Sequence, residues 1–423
     1  MTSHPPSRLS RTLPPMYAAA ATRAALPLLV LPLLASRIGA EAFGRLGFIL
    51  VWSGLLSTLV EGGFLAAATR VAVHADAAER WRLARQVFSA RCVLALPATL
   101  LAFAAVHWIA PQATHPWADG AAIAGLACAL GAPATWYLQA TQQLGRWARV
   151  ELVVYGLLLG ACWAFATSVA AFVLLQLAAS ACLAWAGWRW LRRDLAGAAE
   201  AHRLWSAPAV LPGLRLGARM LPVAIAGAAY SFALPAAASA QLARAELGVY
   251  VMVDRIVRVF LAAAEPIFGV VYPHIVVLFQ TGARAALRLA LRWAVLGAAT
   301  GVVLMLLAHA LWPWLEPIAS RRLAGFDPAL LAATFTVLAW LWPLLLGWKF
   351  IGYWMLGSGR FDAAYRVAMV AGAVVGVLAA ARWSGASRAP GLASVALGAE
   401  VLVALLSVAG IAVTLRVRGG DPR

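Results

Sequence analysis

Seven ionisable side chains fall inside stretches otherwise fit for hydrocarbon: Arg23, Glu61, Asp254, Arg255, Arg258, Glu265 and Glu400, with Glu151 at the edge of another. A charge at the centre of a membrane helix costs about 2.5–3.5 kcal/mol, so each must face a partner or a wet cavity. Arg23 and Glu61 lie at similar depth, about 12–14 Å from the nearer end of their runs at 1.5 Å per residue, and can meet. They form either an ion pair between neighbouring helices or a cavity cation beside a carboxylate that releases it on protonation. Asp254 and Arg258 are spaced i,i+4 with the acid first, the favourable order on one helix face. Glu265 shares that stripe, while Arg255 is turned about 100° away. Either Asp254 and Arg258 neutralise one another, or the guanidinium groups face water or an anion, for which their fork suits phosphate oxygens. The substrate-cavity candidates are therefore Arg23, Arg255 and Arg258, and the ion-coupling candidates Glu61, Asp254 and Glu265.

The chemistry of an enzyme is hard to find. Lys349, the chain's single lysine, sits in Gly347-Trp348-Lys349-Phe350 without the glycine spacing of a phosphate-cradling loop. There is no HExxH, no GxSxG and no carboxylate cluster on a water-exposed loop. Cys92, Cys128, Cys162 and Cys182 lie in apolar runs without CxxC or His-linked spacing, which argues against a metal site or a disulfide framework. No catalytic residue, metal or cofactor is expected.

The elements that must position these residues follow from composition. Of 423 residues, 63% are hydrophobic and 12% charged, against about 45–50% and about 25% in soluble domains. A soluble globular protein is excluded, and the pattern is that of an all-α polytopic membrane protein. Twelve apolar windows fall near 15–36, 43–69, 87–110, 120–143, 150–168, 170–190, 219–239, 247–278, 293–313, 328–349, 365–382 and 389–415. The polar step Thr167-Ser168 divides 150–190, because one helix there would be about 60 Å long, twice the hydrocarbon thickness. With the N-terminus cytoplasmic, 24 of the 34 Lys and Arg fall on inside segments and seven on outside ones, the positive-inside bias of a chain with both termini cytoplasmic. The net charge of +18 is thereby topology, and a nucleic-acid partner is not expected.

The expected organisation is a cytoplasmic tail at 1–14, a six-helix bundle at 15–190, a cytoplasmic linker at 191–218, a second six-helix bundle at 219–415 and a tail at 416–423. The first run lacks a small-residue cleavage site and is expected to remain as a helix. Prolines punctuate the spans, and Pro27, Pro222 and Pro266 are the hinge candidates, in windows 1, 7 and 8. Window 8, about 48 Å if one continuous helix, must tilt, bend or project.

Four ordered segments resemble a known family. Arg23-Ala-Ala-Leu-Pro27 through Leu-Pro32 to Arg37-Ile-Gly39-Ala-Glu41-Ala-Phe43-Gly44 is similar to the opening of bacterial polysaccharide (O-antigen type) flippases. These belong to the multidrug/oligosaccharidyl-lipid/polysaccharide (MOP) exporter superfamily. Glu61-Gly62-Gly63-Phe64 to Arg70 resembles the end of that family's second helix, and Trp136-Tyr137-Leu138-Gln139 its aromatic-glutamine motif. Leu247-Gly248-Val249-Tyr250 with Asp254-Arg255-Ile256, Pro266 and Tyr272-Pro273 resembles its eighth helix. Together the matches cover about residues 16–290.

The resemblance implies a MATE-like pair of six-helix bundles around a cationic cavity that opens alternately to either side. It implies transport of undecaprenyl-diphosphate-linked oligosaccharide from the cytoplasmic to the periplasmic leaflet of a bacterial inner membrane. The expected partners are that lipid-linked substrate, membrane lipids and the pathway's glycan polymerase and glycosyltransferases, around a monomer. The alternatives are a drug or small-molecule exporter of the same superfamily, which a cationic cavity disfavours, a membrane glycan polymerase or ligase, and a silent scaffold partner.

Overall fold

The computed structural model describes residues 9–418 apart from 111–113, 142, 199–202, 219, 265–266, 269–270, 273–274, 276–277, 280–281, 323–325 and 359. Its described helices fall on all twelve apolar windows, and among the described residues there is no strand. Nine helical runs among them are long and apolar enough to cross a membrane, from Leu29–Glu61 to Arg388–Leu415, with a shorter apolar run at Ala224–Ala238. The chain is a multi-pass membrane protein. Helix Arg244–Ala263 is missing from those nine because Arg244, Glu246, Asp254, Arg255 and Arg258 lie along it.

Backbone chemistry sets the breaks. Helix Leu9–Glu61 covers the first window and most of the second and is interrupted at Gly39, whose φ of 79° and ψ of 169° only glycine adopts without strain. It stops at Glu61, where Gly62 and Gly63 both take positive φ before helix Phe64–Ala72 begins. Ser168 caps helix Val169–Asp194 by accepting from the Ala171 N–H, so the Thr167-Ser168 step does separate two helices. Window 8 is not one continuous helix: Arg244–Ala263 ends at a turn on Ala264, immediately before Glu265 and Pro266, which lie outside the described residues. The helix ends where a proline that cannot extend the ladder follows in the sequence. Pro222 occupies the first turn of helix Leu221–Ala228, where a missing N–H costs nothing. The irregular backbone of that span is the π-turn Ala229–Ala233 just before Pro235. The backbone at Pro27 is helical, but its side chain lies outside the described residues.

The chain forms two compact units. The first comprises Met1–Leu26 and Arg45–Ala236. In it, helix Ala77–Ile109 packs on Pro116–Gly131 and on Ala207–Ala218. The latter helix falls in the segment read as a linker, with Gly213 against the Gln86 backbone and the Ser206 N–H donating to Ser89 Oγ at 2.9 Å. The second unit comprises Pro27–Gly44 and Ala237–Arg423. There Gly44 meets the Arg244 carbonyl and Gly248 meets Gly44, a backbone-to-backbone approach that no side chain would allow. Residues 219–236, read as the start of the second half, belong to the first unit, and 27–44 to the second.

Helix Ala77–Ile109 starts on a capping box: Asp76 Oδ1 accepts from the Glu79 N–H at 2.8 Å, and the Glu79 side chain accepts from the Asp76 N–H. Replacing Asp76 with Ala should cost about 1 kcal/mol. It should lower the thermal midpoint of the detergent-solubilised protein, with Asp76→Ser close to wild type; equal midpoints for D76A and wild type would contradict the cap's role.

Candidate functional site

Two buried polar clusters stand out, one in each unit. In the first unit the Glu61 carboxylate sits at the end of its helix. It accepts from the Gly63 N–H at 2.9 Å and the Leu65 N–H at 2.5 Å, supplying partners to the first amides of the helix that follows. Its cationic neighbour is Arg91, at 3.8 Å. Arg23, the partner considered from sequence, has a side chain outside the described residues.

Arg91 is the residue that window counting missed. Taken as the last arginine of an inside segment, it stands instead well inside helix Ala77–Ile109, 5% exposed. Its Nη1 donates to the Ala132 carbonyl at 2.8 Å and the Pro133 carbonyl at 2.9 Å. Helix Pro116–Gly131 ends there, and Pro133 cannot continue the ladder, so these carbonyls have lost their helical donors. The Trp188 indole N–H donates to the same Ala132 oxygen at 2.8 Å, and the Phe64 ring covers the guanidinium. The signal was available: Asp76-x-x-Glu79 is a helix-start signature that puts the beginning of this helix at residue 77 rather than 87. A second buried pair in this unit, Arg45 with Asp119, is bidentate at 2.6–3.1 Å, with Asp119 2% exposed.

In the second unit, helix Arg244–Ala263 carries the charges. Arg258 Nε donates to both carboxylate oxygens of Asp254, at 2.8 and 3.0 Å, and Asp254 is buried. Tyr250, one turn earlier, is also buried, and its hydroxyl has no hydrogen-bond partner among the described residues. Arg255 interacts electrostatically with Asp254 and Arg258. Glu400, from helix Asp362–Arg418, acts electrostatically on Arg258 and also on Lys349 of helix Leu341–Gly357. Sequence reading recognised Glu400 as an intramembrane charge but assigned it no partner, and it placed Lys349 at a helix edge. Only the packing of three helices brings them to Arg258. Trp342 Nε1 donates to the Val257 carbonyl at 2.9 Å, fixing the helix that bears Lys349 against the one that bears Arg258.

Glu265 and Pro266 lie outside the described residues. Among the described residues, no three His, Cys, Asp or Glu side chains converge as a metal site requires.

A family model described as polysaccharide biosynthesis protein matches residues 17–279. No curated protein matches the chain in sequence. Among solved structures, the Lipid II flippase MurJ in an inward closed conformation is similar with a TM-score of 0.68 at 10% identity, covering 94% of this chain and 87% of that one. An inward-facing multidrug resistance MATE family transporter of the MOP superfamily follows with 0.66 at 13% identity, covering 93% and 94%. A MOP superfamily transporter from Pyrococcus furiosus, described as having a binding pocket of reverse polarity, has a TM-score of 0.55 at 13% identity, covering 97% and 94%. At these identities the likeness is one of fold, and the fold is that of the MOP transporters.

Removing Arg91 would leave the Pro133 carbonyl without its donor, the Ala132 carbonyl with Trp188 alone and Glu61 without its cation. Breaking a buried charged contact costs about 3–5 kcal/mol. Arg91→Ala should therefore lower folded yield and thermal midpoint sharply, while Glu61→Gln, which still accepts from Gly63 and Leu65, should be much milder. An Arg91→Ala protein that melts with wild type would remove Arg91 from this structural role.

Proposed function

We propose a lipid-carrier function for this chain, which belongs to the polysaccharide biosynthesis protein family. It moves undecaprenyl-diphosphate-linked oligosaccharide from the cytoplasmic to the periplasmic leaflet of a bacterial inner membrane by alternating access, as a transporter rather than an enzyme. Both termini are cytoplasmic in this reading, as the arginine distribution favours.

The observation that carries the proposal is the cluster on helix Arg244–Ala263. A sugar diphosphate is too polar to cross hydrocarbon unaided, so its carrier must hold cations where lipid would otherwise be. Arg255 and Arg258 are cations of that kind, and the form of the Arg258–Asp254 contact is informative. The Nε–H straddles two oxygens of one anionic group, a geometry that a phosphate reproduces. Asp254 thus holds the guanidinium in the resting protein, and the diphosphate competes for it. Exchange of one anion for another keeps Arg258 compensated throughout, so the site need never contain a bare charge. Arg255, on the adjoining sector of the same helix, adds a second contact.

Asp254, displaced in this way, is a natural proton acceptor, which makes it the ion-coupling residue we favour. Glu61 is less suited, since its oxygens are committed to the backbone of the Gly62-Gly63 turn and to Arg91. The likeness in fold to MurJ, a Lipid II flippase, supports a lipid-linked substrate.

Hydrogen bonds to a charged group contribute about 1.5–3 kcal/mol, or about tenfold and upward in affinity. Arg255→Gln and Arg258→Gln should each slow translocation of a fluorescent undecaprenyl-diphosphate-linked sugar in proteoliposomes by at least about tenfold. Wild-type rates in both variants would refute the assignment.

A further inference from the structure

One polar group beside the charges of the second unit is idle. Tyr250 is 1% exposed, and its hydroxyl has no hydrogen-bond partner among the described residues. Burying a hydroxyl without a partner is destabilising. Elsewhere in the unit that cost is avoided, as at Thr334, whose buried hydroxyl donates to the Leu330 carbonyl of its own helix at 2.7 Å. A phenol oxygen stands too far from its own backbone to do the same. Phenylalanine would fill the space of Tyr250 without the penalty.

What singles out this hydroxyl is its neighbours. Tyr250, Asp254 and Arg258 recur at four-residue intervals and so share one stripe of helix Arg244–Ala263. Side chains on a helix lean toward its N-terminus. Arg258 leans in this way onto Asp254, to which its Nε donates at 2.8 and 3.0 Å. Asp254 in turn projects toward the turn that bears Tyr250. The charges of Asp254, Arg258 and Arg255 all act on the phenol. Along the stripe the carboxylate is thus flanked by one donor in use and one that is not.

We propose that the Tyr250 hydroxyl is the second donor of Asp254, taking the carboxylate over when the diphosphate draws Arg258 away. This rests on the function proposed above and deepens it. Anion exchange keeps Arg258 compensated, but it strands a carboxylate that is 3% exposed, and a buried charge without a partner is costly. A change of rotamer at Asp254 moves its oxygens from one neighbour toward the other. The phenol also suits both protonation states, since it donates to a carboxylate and accepts from a carboxylic acid. Arg255 is not equivalent, because it lies about 100° round the helix and is engaged with the diphosphate. Tyr250 is therefore a positioning residue: it holds Asp254 off Arg258 and touches no cargo.

The test uses the full-length protein in nanodiscs with undecaprenyl diphosphate as the ligand. Tyr250→Phe removes only the hydroxyl. The ligand-free thermal midpoint should not fall, because the hydroxyl makes no hydrogen bond in that state. Affinity for undecaprenyl diphosphate should drop about tenfold, the weight of one hydrogen bond to a charged group. In an Asp254→Asn background the same substitution should cost only about threefold, since an amide is a neutral acceptor and its hydrogen bond about half as strong. In protein labelled with 3-fluorotyrosine, the fluorine resonance that Tyr250→Phe abolishes should move when the ligand binds. A lower ligand-free midpoint in Tyr250→Phe would make the hydroxyl a structural group and overturn the proposal. Wild-type affinity in that variant, or a resonance that stays still on binding, would overturn it too. Equal losses in both backgrounds would put the hydroxyl on the diphosphate itself, again against the proposal. All four outcomes leave the transport function standing, whereas a wild-type protein that binds no undecaprenyl diphosphate would sink both.

Discussion

A helix that breaks inside a membrane exposes carbonyls that no water can satisfy, and in the first unit that deficit is met by the Arg91 guanidinium with help from the Trp188 indole. Arg91 reaches from the middle of Ala77–Ile109 to the ends left open at Ala132 and Pro133, and its charge is balanced by Glu61, which itself closes the break at Gly62-Gly63. Three interruptions or helices are thus tied at one guanidinium. The carbonyls at a helix C-terminus carry partial negative charge, so a cation is the natural donor there. Without such a donor the Pro133 break would leave buried groups costing several kcal/mol each. Proline makes the break, and the arginine makes it tolerable in hydrocarbon.

The same constraint explains what the family-like segments are for. Glu61-Gly62-Gly63-Phe64 is a turn: the glycines supply the left-handed backbone, the glutamate supplies acceptors, and Phe64 is fully buried over Arg91. Phe43-Gly44 and Leu247-Gly248 are two sides of one close backbone contact in the second unit. Trp136, Tyr137 and Leu138 are core residues, with the Trp136 carbonyl accepting from Thr69 and the Tyr137 hydroxyl donating to Asp194. A resemblance carried by such residues identifies a fold reliably because they are its joints, and it says less about cargo.

The apolar windows made the architecture legible, since hydrocarbon-length runs and their Gly, Pro and Ser boundaries depend on local chemistry alone. Even the close break at Ser168 could be read, because a hydroxyl cap is a one-residue signal. The candidate site was legible in part. The Asp254–Arg258 pair follows from i,i+4 spacing on one helix. The roles of Glu400 and Lys349 depend on which helices pack on that one, which no spacing within a helix reveals. Arg91 was hidden for a different reason: an arginine near the start of an apolar window looks like a flanking charge unless the capping box ten residues earlier is weighed. The placement of 27–44 in the second unit was likewise invisible, because contacts such as that of Gly44 with the Arg244 backbone join residues two hundred positions apart.

The two buried clusters differ in what can replace their anions. Arg91 is held by backbone oxygens, which cannot leave without refolding two helix ends, so its cation is committed to the structure. Arg258 is held by the side chain of Asp254, which can rotate or take a proton while a second anion takes its place. A transporter needs both kinds: fixed charges that allow bent helices in lipid, and exchangeable ones that release cargo. In the cycle proposed above, an exchangeable pair would keep its cation neutralised in the empty and the loaded protein alike, so the desolvation cost of Arg258 would be met once, at folding. That distinction, between an arginine bound to the main chain and one bound to a carboxylate, is the physical ground on which Arg258 rather than Arg91 is proposed to meet cargo.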